Sequence, residues 1–188
     1  LIRKRRVTDG SIPTAGVCVE NGGFSMYWNP EFIGKLTKEQ FFGLLKHECY
    51  HLIFQHVVAR KKDPHLLWNI ATDLAINSII PRSELPEGGL IPGVAFKQPA
   101  ADVWSAMSPE QQTRFTTISN KIASLPSRKS SEWYFSELMS DPDMADALDP
   151  DKGGGSGSCP GEITVGINGK KVRVSLGGMD DHDGWDQL

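Results

Sequence analysis

Five residues constrain this chain more than any others: His47-Glu48-Cys49-Tyr50-His51. They sit in a segment that reads as helix. Thr37, followed three residues later by Gln40, makes a capping box. Phe41, Leu44, Leu45 and Leu52 then form an apolar stripe at helical spacing. On a helix, residues four apart lie one turn apart on the same face. Both imidazoles can therefore reach one cation, with Glu48 between them. Glu48 also falls within the apolar stripe, where a carboxylate is costly unless something pairs with it. A solvated helix carrying ordinary polar histidines would put that carboxylate on the wrong face. The pattern suits a zinc hydrolase, with two histidine ligands and a glutamate placed to take a proton from an activated water.

A hydrolytic zinc site uses three protein ligands and leaves a fourth position for water. His56 is close in sequence, but it lies nine residues after His47. That is about half a turn away around a continuing helix. Leu52-Ile53-Phe54-Gln55 holds no glycine to break the helix first. His56 is expected to point away, as a polar residue near the helix end. Asp73 is the better third ligand. Asp63-Pro64 reads as an N-cap followed by proline at the first helical position. The segment from Leu66 to Ile80 is apolar nearly all round and stops at Pro81, so it reads as a buried helix. Its narrow polar stripe is His65, Asn69, Asp73 and Asn77, at strict four-residue spacing. A thin solvated edge would explain the stripe, but Leu66, Ile70, Leu74 and Ile76 leave it little width. His51 and Asp73 are about equally far from a turn centred near Lys61-Lys62. In an antiparallel helix pair that places them at equal height, with His47 opposite Asn77. The predicted triad is His47, His51 and Asp73, with Asn69 and Asn77 orienting the ligands by hydrogen bonds.

The stretch from Phe42 to Pro81 resembles the predicted metallopeptidases of the zincin superfamily found in bacteria and phages. Those proteins often carry a von Willebrand factor A-like domain on the C-terminal side. The resemblance rests on the HExxH helix, the basic turn ending in Asp63-Pro64, and the helix Trp68-Asn69-x-x-x-Asp73-x-x-x-Asn77. The lead-in Tyr27-Trp28-Asn29-Pro30-Glu31-Phe32 and the late Asp180-Asp181-His182-x-x-Trp185 match as well. It is loose outside the two helices. The chain ends at Leu188, where longer members continue. The resemblance implies an α+β, zincin-like fold, mostly helical with a small sheet and hairpins beside the metal helix, and peptidase chemistry.

Composition agrees with one globular domain over 1–188. The hydrophobic fraction is 39% and the charged fraction 23%. No apolar run is long enough to span a membrane. A net charge of −3 gives no case for nucleic acid. Arg3-Lys4-Arg5-Arg6 and the acidic stretch from Asp141 to Asp151 read as solvated segments. Cys18, Cys49 and Cys159 are too few and too scattered for a disulfide framework. A reducing cytoplasm, that of a bacterium or a phage-infected cell, fits best.

Strands are expected from Gly16 to Glu20 and from Gly23 to Trp28 around an Asn21-Gly22 turn. The second strand is the candidate free edge along the cleft, where an extended peptide would pair. A Gly/Pro-rich loop follows Pro81. Helices are expected from Ser108 to about Ser124 and from Ser131 to Met139. A flexible linker is expected over 141–161, followed by a hairpin and tail over 162–188. In the tail, His182 beside Asp180 and Asp181 is a candidate for stabilising the oxyanion, with Tyr50 as an alternative that points elsewhere. The tail could instead block the metal, or be an acidic surface segment. Trp185 should anchor the tail against the cleft.

Together these readings describe a peptidase acting on peptide or protein substrates through a zinc-activated water, with Glu48 as general base. The alternative is a zincin-like structural or regulatory module. It would bind metal without turnover inside a phage particle or an assembly linked to an ATPase or von Willebrand-like partner. A non-peptidase metal hydrolase is a weaker third reading.

Overall fold

A computed structural model describes residues 2–8, 12, 14–56, 60, 62–148, 162–167 and 170–175. The order of elements is α+β: strands β1 (Ile2–Arg6), β2 (Ala15–Glu20) and β3 (Gly23–Trp28), then helices, then a hairpin. The helices are α1 (Pro30–Ile33), α2 (Lys38–Ile53), α3 (His65–Asn77), α4 (Ala101–Ala106), α5 (Pro109–Ser124), α6 (Ser131–Met139) and α7 (Pro142–Ala147). A 3-10 turn spans Arg82–Glu84, and β4 (Glu162–Ile167) pairs with β5 (Lys170–Ser175). No helix among the described residues is long and apolar enough to cross a membrane.

The β2–β3 hairpin turns where expected. Asn21 and Gly22 both have positive φ, 48° and 69°, the geometry a two-residue turn needs to match strand twist. Strand order corrects one expectation. The sheet runs β1-β3-β2, so β3 is central and bonded on both sides. It is not the free edge. The basic run at the start of the chain is β1, parallel to β3 and exposed along its whole length. Its charged side chains stay in water while its backbone completes the sheet, a common way of blunting an edge. The strand that packs against α2 is β2.

The main core lies between α3, α5, α6 and α7. It includes Ile70, Leu74, Ile118, Ile122, Tyr134 and Leu138. The expected linker is corrected here. Residues 142–147 form α7, capped by Asp141, which accepts from the backbone N–H groups of Asp143 and Met144. Met144 is fully buried and Leu148 nearly so. Two anchors at helical spacing outweigh the acidic composition of this stretch. Residues 149–161 lie outside the described residues. Val174 of β5 packs against the same core.

Helix α2 is held by its expected capping box, with Thr37 accepting from Gln40 N–H and Gln40 returning a bond to the Thr37 N–H. Its approach to the 3-10 turn requires glycine at one position. A Cβ on Gly43 would sit 1.9 Å from the backbone oxygen of Glu84. Lys46, one turn on, forms an ion pair with Glu84. We expect Gly43→Ala to destabilise the protein by about 1–3 kcal/mol through overpacking. That outweighs the roughly 1 kcal/mol alanine would gain in helix propensity. Urea unfolding measures it, and wild-type stability in the variant would show that the turn yields freely.

Candidate metal centre

The buried face of α2 consists of Gly43, Leu44, His47, Glu48 and His51. Of the expected apolar stripe only Leu44 is fully buried; Phe41, Leu45 and Leu52 are half-buried. The inward face is therefore largely polar, which is unfavourable unless the groups on it find partners. The partners come from α3. That helix begins at His65, with Pro64 as its N-cap residue and no side-chain cap. The expected Asp63 cap is therefore corrected, because Pro64 itself takes the extended conformation that precedes the helix. Nine of the thirteen residues of α3 are buried, Asp73 and Asn77 among them. His65 and Asn69, at the outer end of the same polar stripe, are half-buried.

The structure places Asp73 opposite His51 and Asn77 opposite His47, the pairs implied by equal distance from the turn. Nε2 of His51 lies 3.2 Å and Nε2 of His47 3.5 Å from Oδ1 of Asp73. The two Nε2 atoms are 3.0 Å apart. All three residues are at most 2% exposed. A tetrahedral ion with bonds of about 2.0–2.1 Å separates its ligands by roughly 3.3–3.4 Å. The triangle of donor atoms is close to that size, so the residues fit a small divalent ion.

Hydrogen bonding sets one ligand's tautomer. Nδ2 of Asn77 donates to the carbonyl of Leu90 at 2.8 Å, which turns Oδ1 toward His47 at 2.8 Å. An amide oxygen can only accept, so Nδ1 of His47 carries the proton. Its Nε2 faces the other two donors, the usual arrangement for a ligating histidine. Burial on its own would raise the Asp73 carboxyl pKa. Hydrogen bonds and charge from His47 and His51 outweigh it and hold the group well below the usual carboxylate range. The third ligand candidate is thus anionic, as coordination requires.

Glu48 is 1% exposed on the same helix face, between the two histidines. Asn69 is half-buried, and among the described residues no hydrogen bond joins its side chain to the triad. Tyr50 stacks on Phe54 with ring centroids 5.4 Å apart, away from the ligands. Cys49 is exposed and Cys18 is buried. His182 and the rest of the Asp180–Trp185 segment lie outside the described residues.

His56 departs from expectation. The helix does stop first, at Ile53, and Gln55 just beyond it has a left-handed φ of 60°. The chain folds back and buries His56 to 4% exposure beside His51. It does not join the cluster of close donor atoms. No local signal marks this turn, because a left-handed glutamine has no compositional signature.

A family model described as "Putative metallopeptidase domain" matches residues 3–129. The chain belongs to this family. The matched stretch holds α2 and α3, and with them His47, His51 and Asp73. An uncharacterized protein of Thermotoga maritima is 39% identical over 62 residues, 32% of this chain. The match spans 16% of that relative's length. No solved structure matches the chain. Membership in the metallopeptidase family and the buried His-His-Asp cluster together support a metal-dependent peptidase class.

Proposed function

We propose that the chain is a zinc peptidase with a zincin-like fold, in which His47, His51 and Asp73 hold the metal and Glu48 is the general base. The observation that carries this reading is the convergence of three buried donors, two imidazoles and one carboxylate, beside the helix face that also carries Glu48. Two imidazoles and a carboxylate are the donor set of hydrolytic zinc, and their spacing suits its tetrahedral preference. When bound, the metal supplies Lewis acidity to the scissile carbonyl and to the attacking water. Glu48 takes the proton from that water and delivers it to the leaving amine. Asn77 keeps His47 in its ligating tautomer. An extended substrate would lie along β2, the edge strand packed on α2, through backbone hydrogen bonds. His182 remains the candidate oxyanion donor. The setting we propose is the bacterial or phage-infected cytoplasm, with a von Willebrand-like or ATPase-linked partner.

One observation favours the non-catalytic alternative. His47, Glu48, His51 and Asp73 are each at most 2% exposed, so a peptide needs an opening to reach them. The two readings separate in one experiment. The full chain is stripped with a chelator, reloaded with zinc, and incubated with a mixed peptide library read by mass spectrometry. Cleavage that vanishes on stripping and returns with zinc is expected. Stoichiometric zinc with no cleavage of any peptide would favour the structural module.

A further inference from the structure

His56 lies beside the candidate centre without belonging to it. Its backbone N–H donates to the carbonyl of His51 at 3.0 Å, closing the turn that ends α2. Its ring meets the ring of His51 edge to face, with centroids 5.4 Å apart and planes at 75°. On another side it meets Trp68, at 5.8 Å and 81°. Nε2 of His56 is 3.1 Å from Oγ of Ser131, the first residue of α6. Ser131 is itself 4% exposed. A buried histidine with a specific hydroxyl partner and a ring contact to a ligand candidate is a built arrangement.

Helix α6 grips the same turn at two further points. Glu132 forms an ion pair with Arg60. Phe135 packs on Trp68, with centroids 5.7 Å apart, and the Lys62 ammonium lies 5.2 Å from its ring centre. Residues 131, 132 and 135 face one way on a helix. The family match stops at residue 129, just before this helix.

We propose that His56, locked by Ser131, is a positioning residue that fixes the ring plane of His51 and thereby sets metal affinity. The inference rests on the metal-binding reading above. The torsion that swings an imidazole about its Cβ–Cγ bond is broad, so a ligand ring needs something outside the metal to orient it. For His47 the orienting group is Asn77. The edge contact with His56 does this for His51, and the Ser131 hydroxyl stops His56 from rotating. Helix α6 thus completes the site from outside the matched segment.

Ser131→Ala tests this without harming the start of the helix, because the capping oxygen belongs to Ser130, which accepts from Trp133 N–H. Zinc affinity of the full chain is measured by chelator competition, alongside the visible spectrum of the cobalt(II) form and thermal unfolding of the metal-free protein. Ser131→Ala is expected to bind zinc roughly 10-fold more weakly, the low end for loss of an outer partner, with an altered cobalt spectrum. His56→Phe, which keeps the ring and loses the nitrogen, should do the same. Ser131→Thr should restore both readouts. Wild-type affinity and spectrum in Ser131→Ala and His56→Phe, with only metal-free stability lowered, would overturn the proposal and leave a packing role. A wild-type chain that takes up no zinc or cobalt would overturn the metal-binding reading, and this inference with it.

Discussion

His47→Ala and Asp73→Ala are each expected to abolish stoichiometric zinc binding, with affinity falling more than about 100-fold, beyond the range typical of outer partners. The reason is geometric. Donor atoms of His47, His51 and Asp73 converge within 3.5 Å of one another in a buried pocket of space. Removing one leaves two protein ligands where a tight site needs three. Asp73→Ala has a second effect, because it strips two buried histidines of their anionic partner. Breaking a buried pair costs about 3–5 kcal/mol, so unfolding must be measured beside metal content. Asp73→Asn keeps the shape and separates the two effects: it should stay folded and still lose zinc. The informative contrary result is full zinc retention in Asp73→Ala together with its loss in His182→Ala. That outcome would assign the third ligand to the tail.

Glu48→Gln is expected to keep the fold and the zinc and to lose peptide hydrolysis by at least ~100-fold, the scale of general-base removal. Glutamine has nearly the shape of glutamate, so packing on the buried face of α2 is preserved. It cannot accept the water's proton, so the chemical step lacks its base. Glu48 does not belong to the cluster of close donors, which is why metal content should not follow activity. A Glu48→Gln protein that cleaves at the wild-type rate would remove Glu48 from the mechanism. One that loses zinc along with activity would make Glu48 a ligand rather than a base.

Much of this protein was legible locally. The capping box at Thr37, the helix start at Ser108, the Asn21-Gly22 turn and the apolar helix before Pro81, which ends at Asn77 rather than Ile80, all depend on neighbours a few residues apart. The facing of Asp73 with His51 followed from counting residues across one turn, because two antiparallel helices share the same rise. What is not legible locally depends on distant partners. Arg3–Arg6 reads as a solvated charge run, and it is exposed, yet its backbone pairs with β3. The place of β3 at the centre of the sheet could not be read from its residues. Helix α7 hides in an acidic stretch because its anchors, Met144 and Leu148 among them, are few and scattered between acidic residues.

The sequence by itself determined which groups can do chemistry and on which helix faces they lie, since helical periodicity and capping are short-range effects. Tertiary structure decided how those faces meet. It turned the polar side of α2 inward onto Asp73 and Asn77, brought the donor atoms to 3.0–3.5 Å, and folded His56 back against His51. It also recruited Ser131 from a helix 75 residues beyond His56. Such contacts arise from the packing of α3 and α6, where burial of Trp68, Leu74, Tyr134 and Leu138 sets the distances, and no spacing along the chain encodes that packing.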